Sequence, residues 1–186
     1  MSISGIVLAG GKGRRMGGVD KGLQSLRGRP MVEWVLERLT PQVSEVVINA
    51  NQNVERYARY GHPVVGDEVS GFAGPLAGLH AGMKAARHPL VVTVPCDSPF
   101  LPADLVSRLE KDLGRNDLAV ARTGEQPHPV FALVRRSVLE NLEAFLAGGG
   151  RKIDAWYGSL SFVEVAFDDE AEAFRNINTL EELGRE

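Results

Sequence analysis

Three short stretches of the chain carry residues whose types and spacing suit phosphate chemistry. The first is VLAGGKGRRMGGVDKG, residues 7–22, where six glycines and five charged residues (Lys12, Arg14, Arg15, Asp20, Lys21) follow an apolar run. Glycine lets backbone amides come close to a partner because no Cβ stands in the way. The basic residues make that partner an anion, with di- or triphosphate the first candidate. The second stretch, VVTVPCDSPFLP (91–102), sets Asp97 just past an apolar run and between Pro95 and Pro99. A carboxylate there suits Mg²⁺, which takes one or two carboxylates together with substrate phosphates; the competing reading is a turn or helix cap by Asp97 or Ser98. The third, GPLAGLHAG (74–82), puts Gly74 and Gly78 at the start of a helix, where backbone can again approach a ligand.

Two familiar phosphate loops fail the comparison with residues 7–22. A Walker A loop needs G-x-x-x-x-G-K-[ST], but Lys21 follows Asp20 and Gly22 replaces the hydroxyl residue. A dinucleotide fingerprint needs G-x-G-x-x-G; Gly11-Lys12-Gly13 begins one, and Met16 stands where the third glycine belongs. The loop resembles a phosphate cradle without being either version, and a plain surface turn with basic residues remains open for it.

These residues need a scaffold, and the chain supplies one. The apolar runs at 4–9, 45–50, 63–66 and 89–95 read as strands that are apolar throughout, which suits a parallel sheet covered on both faces. Met31, Val32, Val35, Leu36 and Leu39 share one helical face, as do Leu76, Leu79, Met83 and Ala86. Leu105, Val106, Leu109 and Leu113 repeat the pattern behind Pro102, a residue favoured at helix starts. Further on, 117–122, 129–134 and 161–167 read as strands. Ser137 with Glu140 reads as a capping box before a helix carrying Leu139, Leu142 and Leu146, and Thr179 with Glu182 caps a last short helix. Repeated βα units with few hairpin signals predict a Rossmann-like, open α/β sheet, mostly parallel, with helices on both faces. In such sheets ligands bind beyond the carboxyl ends of the strands, where the glycine-rich stretch and Asp97 both fall.

Composition narrows the classes. The 186 residues, 44% hydrophobic and 24% charged, suit one globular domain, and a net charge of −3 argues against a broad nucleic-acid footprint. The single cysteine excludes an intrachain disulfide or a CxxC metal site. No apolar run approaches the roughly 20 residues needed to span a bilayer, and a short N-terminal apolar run without a basic flank predicts a cytoplasmic protein.

LAGGKGRRMGGVDKGL, GRP, GPLAGL, PCDSPF and NINTLEEL together resemble the molybdenum cofactor guanylyltransferases, the MobA proteins, nearly end to end. The resemblance implies a nucleotide-diphospho-sugar transferase-like fold. It also implies a single nucleotidyltransferase domain over 1–186, with residues up to about 100 binding nucleotide and the remainder binding the acceptor. The double glycine after Ala9 and the GPLAG segment look like the guanylyl branch; cytidylyl relatives more often read L-A-A-G. By the same resemblance GTP is bound through Leu8, Ala9 and Gly10, with Gly11 and Gly18 in the loop and Arg15 and Lys21 on the triphosphate. Asn49 and Asp67 occupy positions associated with the nucleoside. Gly78 lies in the GPLAG segment, and Asp97 is the Mg²⁺ carboxylate. Asn176 and Asn178 match a late motif reaching back to the site, and Arg151 and Lys152 match a basic pair facing an anionic acceptor. The implied reaction carries GMP from GTP to the terminal phosphate of molybdenum-loaded molybdopterin, with Mg²⁺ as cofactor and pyrophosphate as the second product. Molybdoenzymes or cofactor-insertion proteins are the implied protein partners, and no nucleic acid or membrane is expected.

Other chemistry-bearing residues have plainer readings. Cys96 reads as a small buried residue, since no histidine or basic group adjoins it. His62, His80 and His88 lack metal-ligand spacing, and Trp34 reads as core. His128 in QPHPVF is as well explained by a turn as by ligand contact, and Trp156 with Tyr157 reads as packing before pterin stacking. Three other functions compete: a nucleotidyltransferase using CTP or a sugar-phosphate acceptor, a non-catalytic nucleotide-binding regulator, and a nicotinamide oxidoreductase. The presence of Arg15, Lys21 and Asp97 argues against the regulator, and the failed fingerprint against the oxidoreductase.

Overall fold

The computed structural model describes residues 2–11, 19–70 and 74–175. In chain order the elements are β1 (Ile3–Leu8), the two-residue strands β2 (Ser25–Leu26) and β3 (Arg29–Pro30), α1 (Met31–Leu39), β4 (Glu45–Asn49), α2 (Val54–Ala58) and β5 (Val64–Val65). There follow α3 (Pro75–Ala85), β6 (Leu90–Pro95), α4 (Leu105–Leu113), β7 (Leu118–Thr123), β8 (Gln126–Arg135), α5 (Leu139–Ala147), α6 (Ile153–Tyr157) and β9 (Phe162–Ala166). A 3₁₀ segment, Asp168–Phe174, comes last.

Seven strands form one sheet in the order β5-β4-β1-β6-β8-β7-β9. All run parallel except β8, which is antiparallel to both β6 and β7. Side chains alternate between two cores because successive Cβ atoms point to opposite faces. Val7, Val92, Val94, Ala119 and Leu133 pack with α1, α2, α4 and Phe174. Ile6, Val91, Leu118, Ala132 and Val134 pack with α3, α5 and α6. Both faces are therefore dry, which is why the strands read as unbroken apolar runs. Gly82 permits a close approach of α3 to β1, since a Cβ there would run into Ile6.

One local expectation is corrected. Helix α5 begins at Leu139 out of a 3₁₀ turn, Arg136–Val138, so Val138 takes the cap position and no side chain caps it; the Ser137–Glu140 capping box does not form. The chain also makes a tight hairpin between β7 and β8, turning at Gly124 (φ +55°) and Glu125. Glycine at the first position of a two-residue loop is the type II′ signal. The helix expected behind Thr179 lies outside the described residues. Among the described residues, no helix is long and apolar enough to cross a membrane.

Glu45 ties the opposite end of the sheet together. Its carboxylate accepts hydrogen bonds from the Ser4 hydroxyl, the Arg87 backbone N–H (2.6 Å) and Arg87 Nε (2.7 Å). Burial alone would push its pKa up, but these bonds outweigh it and hold the group at about 2, below the usual 4.5. A carboxyl held low in the folded state gives stability that is present above pH 4.5 and lost as pH falls towards 2. The contribution is on the order of 2 kcal/mol, allowing for screening around exposed Arg87. Thermal melts of wild type and Glu45→Gln should differ most at neutral pH and converge towards pH 2. A gap independent of pH would refute this account.

Candidate active site

Parallel register brings three strand ends level: Leu8 pairs with Asn49 on one side and with Pro95 on the other. Beyond them opens a cavity of about 950 Å³. Its polar wall includes Gly10, Gly11, Asn49, Asn51 and Asp67; Leu8, Val69, Pro75, Pro95 and Val130 form an apolar wall. A slot with apolar sides and a few fixed polar groups suits a flat heterocycle.

The polar wall is organised around one carboxylate. Asn49, 2% exposed, donates from Nδ2 to Asp67 Oδ1 (2.9 Å) and to the Val65 carbonyl (3.2 Å). Asn51 donates from Nδ2 to Asp67 Oδ2 (3.0 Å) and to the Gly10 carbonyl (3.1 Å), and its Oδ1 accepts the Asp67 backbone N–H (2.8 Å). Among the described residues, each carboxylate oxygen thus has one donor. An ionised carboxylate offers about four acceptor positions, so two remain for a ligand. Asn51 was missed in the sequence; its role lies in contacts with Gly10 and Asp67, 41 and 16 residues away.

A second pair lies next to this wall in the chain. Pro95 lines the cavity, and two residues later Asp97, 7% exposed, accepts a hydrogen bond from Lys21 Nζ at 3.2 Å. The position thus already favours positive charge. Between them, Cys96 is buried; burial pushes its thiol pKa well up, and the neighbouring Asp97 carboxylate adds to this, so it is no nucleophile.

The chain from Gly5 to Leu160 matches the family described as the MobA-like NTP transferase domain. The chain belongs to this family. Among curated relatives, the molybdenum cofactor guanylyltransferase of Cupriavidus necator is 53% identical, over 97% of this chain and 94% of the relative. The protein of the same name from Shewanella putrefaciens is 48% identical, over 98% and 94% respectively. The crystal structure of molybdopterin-guanine dinucleotide biosynthesis protein A from Archaeoglobus fulgidus superimposes with a TM-score of 0.79 at 28% identity, covering 98% of this chain and 95% of that one.

Within this MobA-like frame, the residues expected at the site divide into groups. Leu8, Gly10, Gly11, Asn49 and Asp67 line the cavity; Ala9 is buried, its N–H bonded to the Asn49 carbonyl. Lys21 and Asp97 meet each other. Arg15, Gly18, Asn176 and Asn178 lie outside the described residues. Gly78 does not line the cavity: it is buried where a Cβ would run into Asn49 Oδ1, so its missing side chain serves helix packing. Gly74, at φ +58°, lines the cavity at the head of α3.

Arg151 is engaged with backbone at the end of a helix. It donates to the Leu146 and Gly150 carbonyls at 2.9 and 2.7 Å, satisfying the end of α5. Lys152 remains exposed, preceding α6. Trp156 and Tyr157 are buried, bonded to Asn141 Oδ1 and the Pro129 carbonyl, so neither is presented for stacking. His128 stacks on Phe174 (4.8 Å) and bonds Thr123 Oγ1, and burial lowers its pKa.

Proposed function

We propose that this chain transfers GMP from GTP to the terminal phosphate of molybdenum-loaded molybdopterin, giving the guanine dinucleotide form of the cofactor and pyrophosphate. The observation that carries the reading is the Asp67 carboxylate, aimed by Asn49 and Asn51 beside the Gly10 turn. Guanine presents two adjacent donors, N1–H and N2–H₂, which match two carboxylate acceptors. The relatives' names supply the acceptor.

A phosphate monoester is already nucleophilic at neutral pH. An acceptor oxygen attacks the α-phosphorus, the bond from that phosphorus to the α–β bridging oxygen breaks, and pyrophosphate leaves with that oxygen. The protein's task is positioning and charge stabilisation. Lys21, with Arg15, balances charge on the leaving pyrophosphate. Val130 of β8 also lines the cavity, and we assign the nucleotide to residues up to about 100 and the acceptor to those beyond. Exposed Lys152 is the remaining basic contact for the acceptor.

Among the described residues, no group of three or more His, Cys, Asp or Glu could hold a metal unaided. A single strand-end carboxylate such as Asp97 suits Mg²⁺, which is commonly held by one or two carboxylates completed by phosphates and water. Asp97, already paired with a cationic group, would hold it. When bound, the ion neutralises charge on the triphosphate.

Pyrophosphate release tests the reading, with GTP, Mg²⁺ and molybdenum-loaded molybdopterin, against CTP and ATP. Release confined to GTP and dependent on the acceptor is expected; equal use of CTP, or release independent of acceptor, would overturn it. Lys21→Ala should raise the KM for GTP about tenfold at low ionic strength, and the difference from wild type should shrink as salt screens the charge. A penalty that salt does not change would mean that Lys21 acts sterically.

A further inference from the structure

Asp20 belongs to the glycine-rich stretch, yet nothing above gives it a task. Its side chain is 8% exposed, and both oxygens are engaged: Oδ1 accepts the Tyr57 hydroxyl at 2.5 Å and Oδ2 accepts Asn53 Nδ2 at 3.0 Å. Its backbone carbonyl accepts the Leu23 N–H, so the carboxylate anchors the start of the short 3₁₀ turn Lys21–Leu23. The two donors come from a separate part of the fold: Asn53 caps the start of α2 and Tyr57 lies in its last turn.

Both donors look built for this contact. Asn53 has left-handed backbone, φ +53° and ψ +31°, while its carbonyl accepts the N–H groups of Arg56 and Tyr57. Such backbone is uncommon outside glycine, although asparagine tolerates it better than most. Tyr57 is fully buried and is the only residue of α2 that is. Its burial first, and then the negative groups around it, push its hydroxyl pKa far above the ordinary range, so it stays protonated and donating.

The same hydroxyl also limits the residue on the other side of Lys21. A Cβ on Gly22 would lie 2.5 Å from Tyr57 Oη and 3.1 Å from Cys96 Cβ. Tyr57 therefore meets both neighbours of Lys21, residues 20 and 22. Gly22 in turn packs on Cys96, the residue before Asp97. Lys21, which meets Asp97, therefore lies between two residues that both touch Tyr57.

We propose that Tyr57 and Asn53 are positioning residues that act through Asp20 to hold Lys21 towards the triphosphate. The inference rests on the nucleotidyltransferase reading only for what Lys21 meets.

A double-mutant cycle tests it, because residues acting through one another are not additive. Tyr57→Phe keeps the ring and removes only the hydroxyl. It should lower kcat/KM for GTP about tenfold in the wild-type background and about tenfold again in Asp67→Ala. In Lys21→Ala it should cost less than about twofold. A tenfold loss in all three backgrounds would mark a merely structural role, and no loss in wild type would remove the role altogether; either overturns the proposal. Asn53→Gly is the second variant, because glycine keeps the left-handed backbone while deleting the amide. It should show the same non-additivity with a smaller loss, about threefold, and covers the case where Tyr57→Phe does not fold. Neither variant should move the GTP:CTP ratio. If the substrate proves to be another nucleotide, the cycle is read with that one, so failure of the guanylyl reading does not decide this one.

Discussion

Asp97→Asn should lower turnover at saturating GTP and Mg²⁺ by about 10²–10³, the scale seen when one preorganised electrostatic group is lost. The substitution keeps shape and volume, so its effect isolates the charge. Asp97 sits at the end of β6, 7% exposed, with Lys21 Nζ 3.2 Å away. Two consequences follow from removing the carboxylate: a cation loses its protein ligand, and Lys21 loses its charged partner. The first should appear as a rise in the Mg²⁺ concentration needed for half-maximal turnover. The pair is partly solvated, with Lys21 at 23% exposure, so the stability change should be small beside the catalytic one. Circular dichroism and a thermal melt of the variant check that the fold survives. Near-normal turnover by a folded Asp97→Asn protein would sink the metal assignment.

The architecture was legible because both faces of the sheet are buried. Strands read as 4–9, 45–50 and 89–95 lie within a residue of Ile3–Leu8, Glu45–Asn49 and Leu90–Pro95. The later part was less legible for a specific reason. Strand β8 begins at Gln126, three residues before the apolar run, and contains Pro127 and Pro129. Those prolines argue against a central strand. They are tolerated because β6 pairs with β8 only from Ala132 to Arg135, leaving residues 126–128 with β7 alone, while Pro129 falls where the β7–β8 register shifts between Val120 and Ala121. A single sequence shows the prolines but not that the strand on one side has already ended.

The site was legible where chemistry coincides with a strand end. Asp97 follows a short apolar run, and that position marks it; Asn49 and Asp67 were expected only from the family resemblance, and the structure brings the two together beside the strand ends. Asn51, Asn53 and Tyr57 carry no such mark, since their partners lie 16 to 41 residues away. Gly78 shows a different difficulty. A missing Cβ makes room equally well for a ligand or for a neighbouring side chain, and here the neighbour is Asn49. Arg151 is similar: a guanidinium suits an anion, but it also suits the free carbonyls at a helix end, which it takes here.

Replacing Asp67 with alanine should collapse the preference for GTP, and this result separates base recognition from general nucleotide binding. In the folded protein two amides hold the carboxylate, Asn49 Nδ2 on Oδ1 and Asn51 Nδ2 on Oδ2, so its orientation costs nothing further when the base arrives. On the proposed reading, guanine satisfies the remaining acceptors with N1–H and N2–H₂. Cytosine and adenine present a ring-nitrogen acceptor beside one amino group, so one bond is lost and a lone pair faces the carboxylate. Sites built to hydrogen-bond a substrate group discriminate strongly, because the wrong ligand leaves polar groups unpaired. Asp67→Ala should therefore reduce kcat/KM for GTP by about 10²–10³ while changing the low rates with CTP and ATP less than about threefold. If Asp67 instead holds the ribose, all three nucleotides weaken by one factor, because the sugar is common to them. If it only organises the turn, a thermal melt falls and the ratio stays put. Steady-state kinetics with GTP, ATP and CTP for wild type and Asp67→Ala decide among these, and an unchanged GTP:CTP ratio would exclude Asp67 as the reader of the base.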